Sequence, residues 1–359
     1  MPMQRISLPI SKSIANRLLV LYALRGYDLR QWLPDATMPD DVRLLHTVLV
    51  QLQTIQRQRV VNRVTFQLHN CGTAMRFLTA YCAMQDGMQV CLAGNKRMGS
   101  RPIGQLVEAL RQTGADIRYM EQEGFPPLSI QGKTLRPISL TLNQPDSTQF
   151  VSALLLIGME VTTDCHSPYI TMTQSLCRQT EQGTLLPLKA VECDWSAAAF
   201  WYEWVALHGG SLKLEGLHAD SLQGDRIVAS LFEPLGVKTS FVTDGIIIAR
   251  NMDDGFTLPK DLRWDFADCP DLYPAVFATC HRLGITMHFT GLERLPLKES
   301  NRLQAMQQLK EPAVRSIYHS DADHRIAMAL MAANYPVDDT QCVSKSYPLF
   351  TEQLALLTA

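Results

Sequence analysis

The 359-residue chain has no C-x-x-C pair, no H-E-x-x-H, no Lys/Arg-rich block and no low-complexity segment. Nor does any apolar run approach the ~20 residues that a bilayer span needs. Each absence excludes something. Nine scattered cysteines, an odd number, argue against a disulfide framework or a zinc site and read as reduced, mostly buried thiols of a cytosolic protein. The nine histidines show no metal-ligand spacing, so no catalytic metal is expected. With 33 Lys+Arg against 35 Asp+Glu, a net charge of -2 argues against a nucleic-acid binder. The only apolar run near the N-terminus, LLVLYAL, follows Arg17 and lacks a small-residue cleavage site, so neither a signal peptide nor a membrane association is expected. A 46% hydrophobic content excludes disorder, and the length predicts two domains, each with its own core.

The small net charge hides a gradient. Residues 1–118 hold 15 basic and 7 acidic side chains, leaving 18 and 28 for the remainder. An Arg-rich third of a near-neutral chain points to small anionic ligands, with a patchy solvated surface as the alternative. Strand-like and helix-like periods alternate throughout, the mark of an α/β protein. Strand patterns fall at 5–9, 64–68, 88–93, 116–120, 139–142, 211–216, 237–242, 245–250 and 285–290. Ile14, Leu18, Leu21 and Tyr22 form a helical stripe closed by Gly26; Ile103, Leu106, Val107 and Leu110 form another, with Pro102 at its first position and Gly114 just past its end. No Gly/Ser linker marks a domain boundary.

Six helices are expected to open on small, polar or charged clusters: Ser11-Lys12-Ser13, Asn70-Cys71-Gly72-Thr73, Ser147-Thr148-Gln149, Cys193-Asp194-Trp195-Ser196, Cys269-Pro270-Asp271 and Lys298-Glu299-Ser300-Asn301-Arg302. Singly these are ordinary caps. Together, if they converge, unpaired N–H groups and helix dipoles make an anion site. In SKSIANR, Lys12, Ser13 and Arg17 offer a phosphate or carboxylate a hydroxyl and two cations, against the alternative of a capped surface helix. Gly72 lets a ligand approach the backbone closely, and Arg101 stands at a helix entrance beside Lys96 and Arg97. DSTQF supplies two adjacent hydroxyls and an amide. Asp271 and Glu299 are flanked by cations and suit a general base and a general acid, although Glu299 beside Lys298 and Arg302 equally fits an exposed ion pair. Arg325 and Lys345 lie at polar-to-apolar junctions.

These segments, in this order, resemble the 5-enolpyruvylshikimate-3-phosphate synthase family, the 3-phosphoshikimate 1-carboxyvinyltransferases. LPISKSIANR, NCGTAMRFLTA, NKRMGSRPIGQLVEALRQTGA, GFPPLSIQG, DSTQFVSALL, SPYI, SLQGD, DFADCPD, LKESNRLQAM, DADHRIAMA and SKSYP carry the likeness almost end to end. The resemblance implies an α/β fold of two similar domains built from repeated β/α units, of the inside-out α/β barrel type, with an active-site cleft between them. By motif, residues 12–191 form the domain carrying most of the shikimate 3-phosphate site. Residues 1–11 and 192–359 form the domain carrying the acid/base residues and much of the phosphoenolpyruvate site.

The activity implied is transfer of the enolpyruvyl group from phosphoenolpyruvate to the 5-hydroxyl of shikimate 3-phosphate through a tetrahedral intermediate, without metal or organic cofactor, by a cytoplasmic monomer. Motif by motif, shikimate 3-phosphate would be held by Lys12, Ser13, Arg17, Ser147, Thr148, Gln149, Tyr169, Asp271 and Lys298. Phosphoenolpyruvate would be held by Lys12, Gly72, Arg101, Gln149, Arg302, Arg325 and Lys345. Asp271 would accept and Glu299 donate protons, with Lys12 and Lys345 also in the catalytic set. The expected cleft is lined by Lys12, Arg101, Asp271, Glu299, Arg325 and Lys345.

Departures from the family pattern are Ile10, Cys71, Phe77, Arg294, and His166 with Ser167 one place later. The intervals Tyr169–Asp194 and Arg302–Asp323 are short, lacking material that normally completes a strand-and-helix unit. Two competing readings follow. One is a non-catalytic anion-binding relative. The other is the enolpyruvyl transferase acting on UDP-N-acetylglucosamine, whose loop cysteine has no counterpart in GNKRMGSRP.

Overall fold

The computed structural model describes residues 3–58, 63–311 and 316–358. The chain divides into two compact units, one of Met1–Lys12, Asp35–Asp40 and Glu192–Ala359, the other of Ser13–Pro34 and Asp41–Val191. Among the described residues, no helix is long and apolar enough to cross a membrane.

The Ser13–Val191 unit is built on a four-stranded sheet in the order Val64–Gln67, Gln89–Ala93, Leu128–Gln131, Asp116–Tyr119. The first two strands are parallel and the remaining neighbours antiparallel. In chain order this is β-α-β-α-β-β, with helices Gly72–Ala83 and Gly104–Gln112 as connections. Burial alternates along Leu128–Gln131, so one face of that strand meets the core. A shorter segment follows: Leu140–Thr141, helix Thr148–Leu156, the parallel strand Val161–Thr162 and helix Pro168–Glu181. It stops at β-α-β-α, without a closing hairpin.

The other unit repeats both patterns. Its sheet runs Gln4–Ile6, Ser211–Glu215, Gly245–Arg250, Val237–Val242, with the same parallel-then-antiparallel pairing and helices Trp195–His208 and Val228–Phe232 between. The β-α-β-α segment is Asp261–Asp265, helix Tyr273–Leu283, the parallel strand Thr286–Thr290 and helix Arg302–Gln307. The two short intervals in the sequence thus fall where a closing hairpin would stand. Helix Trp195–His208 is apolar nearly all round and lies in the core, packed by helices Tyr273–Leu283 and His324–Ala332.

All nine expected strands are present, most with shifted ends. Strands Leu128–Gln131, Val161–Thr162 and Asp261–Asp265 were not anticipated. The second of these is two residues long, and Asp, Arg and Asp in the third interrupt any apolar run. Lys12 is the first residue of its helix, which runs to Leu24. Pro102 precedes its helix, which begins at Gly104 with Ile103 as the N-cap.

Candidate active site

All six polar clusters open helical turns. In the Ser13–Val191 unit, four helix entrances are tied together by side chains. Ser147 caps helix Thr148–Leu156 by accepting from Gln149 N–H, and Ser167 caps helix Pro168–Glu181 by accepting from Tyr169 N–H, each at 3.3 Å. Gln149 Nε2 donates to Thr73 Oγ1 at 2.8 Å, joining the entrances of helices Thr148–Leu156 and Gly72–Ala83. Arg17, buried, donates to Thr173 Oγ1 (2.7 Å), Ser13 O (2.9 Å), Ser152 Oγ (3.0 Å) and Tyr169 O (3.3 Å). Its guanidinium, pushed down to about 10 by burial, stays charged at neutral pH, and no carboxylate among the described residues pairs with it. Phe77 lies under this guanidinium, 5.5 Å from ring centre to Cζ, which gives that departure from the family pattern a packing role. Exposed His166 leaves the cap to Ser167.

Beside this knot lies a second cation site. Gly72 begins its helix where a Cβ would collide with Arg76 Nη1 and, at 2.5 Å, with Arg101 Nη2. Arg101, buried, donates to Asn70 O at 3.2 Å. Arg76 is 4% exposed, and its Nε and Nη1 find no hydrogen-bond partner. Burial, then Arg101, push its guanidinium well below the ordinary value. A guanidinium keeps its proton nonetheless, so two buried positive charges face a helix N-terminus. That arrangement calls for an anion. Sequence reasoning passed over Arg76; its signal was position, one turn after Gly72 on the same face.

In the other unit the carboxylates and cations form one cluster. Asp194 caps helix Trp195–His208 and accepts from Lys12 N–H at 3.1 Å. Asp271, on the turn before helix Tyr273–Leu283, meets Arg302 Nη1 at 2.7 Å, Arg325 Nη2 at 3.0 Å and Lys298 Nζ at 3.3 Å. Glu299 meets His324 Nδ1 at 2.9 Å and Lys345 Nζ at 3.0 Å. Arg302 binds Asp323 through both Nε (2.7 Å) and Nη2 (3.2 Å), and Asp323 caps helix His324–Ala332. Arg302, Glu299 and Arg325 are buried, so the alternative of an exposed helical ion pair is excluded.

The electrostatics follow from these contacts. Burial works to raise Asp271, but Arg325, Lys298, Arg302 and Lys12 outweigh it and hold the carboxyl well below its usual range. Glu299 is likewise depressed against burial by His324, Lys345 and Lys12. His324 is itself lowered by burial and is therefore neutral at pH 7, with its Nδ1 proton on ionised Glu299 and its Nε2 without a partner. Glu299, Asp323 and His324 bring potential ligand atoms within 4.8 Å of one another. However, Asp323 already accepts from Arg302, Ser300 and Arg325 N–H, and Glu299 from Lys345 and His324, so side-chain cations occupy the place a metal would take. Asp323 and His324 were also missed from sequence, although an Asp before an apolar helical run is a legible cap.

Buried cations and carboxylates on helix entrances of a two-unit α/β chain define an enzyme of small, multiply charged anions. The EPSP synthase model, 3-phosphoshikimate 1-carboxyvinyltransferase, matches residues 3–311, and the chain belongs to that family. A 3-phosphoshikimate 1-carboxyvinyltransferase of Bacteroides fragilis (strain YCH46) is 35% identical over 403 residues, covering 97% of this chain and 94% of the relative. That of Methanospirillum hungatei JF-1 is 28% identical over 412 residues, covering 97% and 94%. The structure of EPSP synthase from Acinetobacter baumannii has the same fold at a TM-score of 0.64 and 21% identity, covering 98% of this chain and 95% of that one.

Proposed function

We propose that the chain transfers the enolpyruvyl group of phosphoenolpyruvate to the 5-hydroxyl of shikimate 3-phosphate, releasing phosphate. The observation that carries this reading is the gathering of Asp271 and Glu299 into one buried cluster with Arg302, Arg325 and Lys345. Residues 12–191 supply most of the shikimate 3-phosphate site: Ser13, Ser147, Thr148, Gln149 and Tyr169 at helix entrances, with Arg17 holding those entrances in register. Lys12 and Lys298 complete it. Gly72, Arg101, Gln149, Arg302, Arg325 and Lys345 take phosphoenolpyruvate, with Arg76 as an added cation.

In the addition step Asp271 accepts the 5-hydroxyl proton, the oxygen attacks C2 of phosphoenolpyruvate, and C3 gains a proton from Glu299. In the elimination step ionised Glu299 takes a proton back from the new methyl group, the double bond re-forms, the C2–O bond to phosphate breaks, and the phosphate leaves with the proton held by Asp271, which restores both carboxyl groups. Without substrate, both carboxylates are weak bases because cations hold them. Substrate phosphates and carboxylates compete for those same cations. As Arg325, Lys298 and Lys345 turn to them, Asp271 and Glu299 lose counter-charge and both rise toward useful proton affinity. No step requires a metal or organic cofactor, and a cytoplasmic monomer is the accompanying expectation.

Purified protein given shikimate 3-phosphate and phosphoenolpyruvate should release inorganic phosphate. Asp271→Asn should cut turnover by roughly 10²–10⁴-fold, the range for a positioned proton-transfer group, while changing shikimate 3-phosphate affinity far less. Binding of both compounds with no phosphate released would leave a binding-only relative. Equal losses of turnover and affinity in Asp271→Asn would make Asp271 a structural anchor.

A further inference from the structure

Asp225, 2% exposed, lies in the turn Gly224–Ile227 and interacts electrostatically with Asp271 and Arg325 of the acid/base cluster. Its Oδ2 accepts a short hydrogen bond from Ser196 Oγ, in the first turn of helix Trp195–His208. The turn is pinned to that helix's entrance by Gln223, whose Oε1 accepts from Trp195 N–H at 3.1 Å and whose Nε2 donates to Cys193 O at 2.7 Å. The charged and titratable groups facing Asp225 come from three other elements: Asp194 at the helix cap, Cys269 and Asp271 before helix Tyr273–Leu283, and Arg325 in the first turn of helix His324–Ala332. Arg226, beside it in the chain, turns away to Ala219 O. Arg325 is therefore shared: it bonds Asp271 at 3.0 Å and is also attracted by Asp194 and Asp225.

We propose that Asp225 is a positioning residue for the transfer reaction, setting the strength of Asp271 as a base through their mutual repulsion and their shared hold on Arg325. The inference rests on the transferase reading above. An ionised Asp225 adds negative charge near Asp271 and competes for Arg325, so Asp271 binds a proton more readily. A neutral Asp225 leaves Asp271 to its four cations. Burial, with Asp271 adding to it, pushes Asp225 up to about 7, while Arg325 and the Ser196 bond pull the other way. Near neutral pH the proton of this pair resides on Asp225, and its loss on raising the pH strengthens the base next to it.

The test is the pH profile of kcat for phosphate release from shikimate 3-phosphate and phosphoenolpyruvate. The wild type should gain turnover through about pH 7. Asp225→Asn, near-isosteric and able to keep the Ser196 bond, should abolish that limb and lower kcat above it by about 10-fold, with both KM values changed far less. Ser196→Ala removes a bond that favours the ionised form and should move the limb to higher pH. A structural role alone would scale the whole profile without moving it. An unchanged limb in Asp225→Asn, or a downward shift in Ser196→Ala, overturns the proposal, and the second variant serves alone if the first fails to fold. An infrared carboxyl band titrating near pH 7 in substrate-free wild type, and absent from Asp225→Asn or shifted upward in Ser196→Ala, reads the same coupling without turnover. Its presence in a protein that releases no phosphate would sink the transferase reading alone; its absence would sink this one.

Discussion

Glu203 is a carboxylic acid in the wrong place for stability. It lies inside helix Trp195–His208 at 0% exposure, among aromatic and aliphatic side chains, and neither carboxyl oxygen finds a hydrogen-bond partner. Burial alone pushes it well above its ordinary 4.5, so the native protein holds it neutral. The unfolded chain releases that proton above pH 4.5. Folding must therefore take up a proton, and stability falls by about 1.4 kcal/mol for each pH unit above the unfolded value until the folded value is reached. Unsatisfied oxygens add roughly 1–3 kcal/mol more at any pH. Glu203→Met keeps the length and unbranched shape and removes both terms. Urea unfolding followed from pH 5 to 8 should show the variant more stable throughout, with a gap that widens as pH rises. Glu203→Gln should lose the pH-dependent part but keep the polar penalty. A gap that stays constant across that range, or a less stable Glu203→Met at pH 8, would refute the reasoning.

Gly72→Ala should fold normally, because its Cβ displaces only the ends of two flexible side chains, yet it should raise KM for phosphoenolpyruvate by about 10-fold or more while leaving shikimate 3-phosphate affinity nearly unchanged. Equal loss for both substrates would put the Arg76–Arg101 pair outside the phosphoenolpyruvate site. His324→Gln weakens a contact that keeps Glu299 ionised; the proton donor should then persist to higher pH, so the alkaline limb of the kcat profile should move upward. A limb moving downward would mean that His324, and not Glu299, holds the transferred proton.

How much of this was legible in the sequence depends on what kind of signal each feature leaves. Ile14, Leu18 and Leu21 announce a helix because apolar residues recur at helical spacing, although the folded helix is buried on every side from Ile14 to Leu21, and the nine expected strands are equally local. That neither β-α-β-α segment carries a closing hairpin among the described residues was legible only as short intervals between motifs, since an absent strand leaves no residues to read. Phe77 shows the opposite limit. As an isolated departure from a family pattern it said nothing, but folding puts its ring under Arg17, a partner 60 residues away in sequence. Arg76, His324, Asp323 and Asp225 were missed for a common reason. Their importance lies in burial and in what faces them across the fold, which no local pattern of residues announces.

The two units manage buried charge in different ways, and the difference bears on how binding energy is spent. Arg76 has no ion-pair partner within salt-bridge distance among the described residues and two unsatisfied guanidinium nitrogens, with only Asp146 attracting it from further off, so an incoming phosphate or carboxylate there relieves desolvated positive charge without breaking a hydrogen bond. In the other unit Arg302, Arg325, Lys298 and Lys345 already hold Asp271, Asp323 and Glu299. An anion arriving there must displace a carboxylate from its cation, which weakens ground-state binding and returns part of that energy as a stronger base or a protonated acid. Interactions of the first kind lower KM. Those of the second kind raise the proton affinity of Asp271 and Glu299, the groups proposed to move protons, and on that proposal only they lower the barrier between bound substrate and transition state.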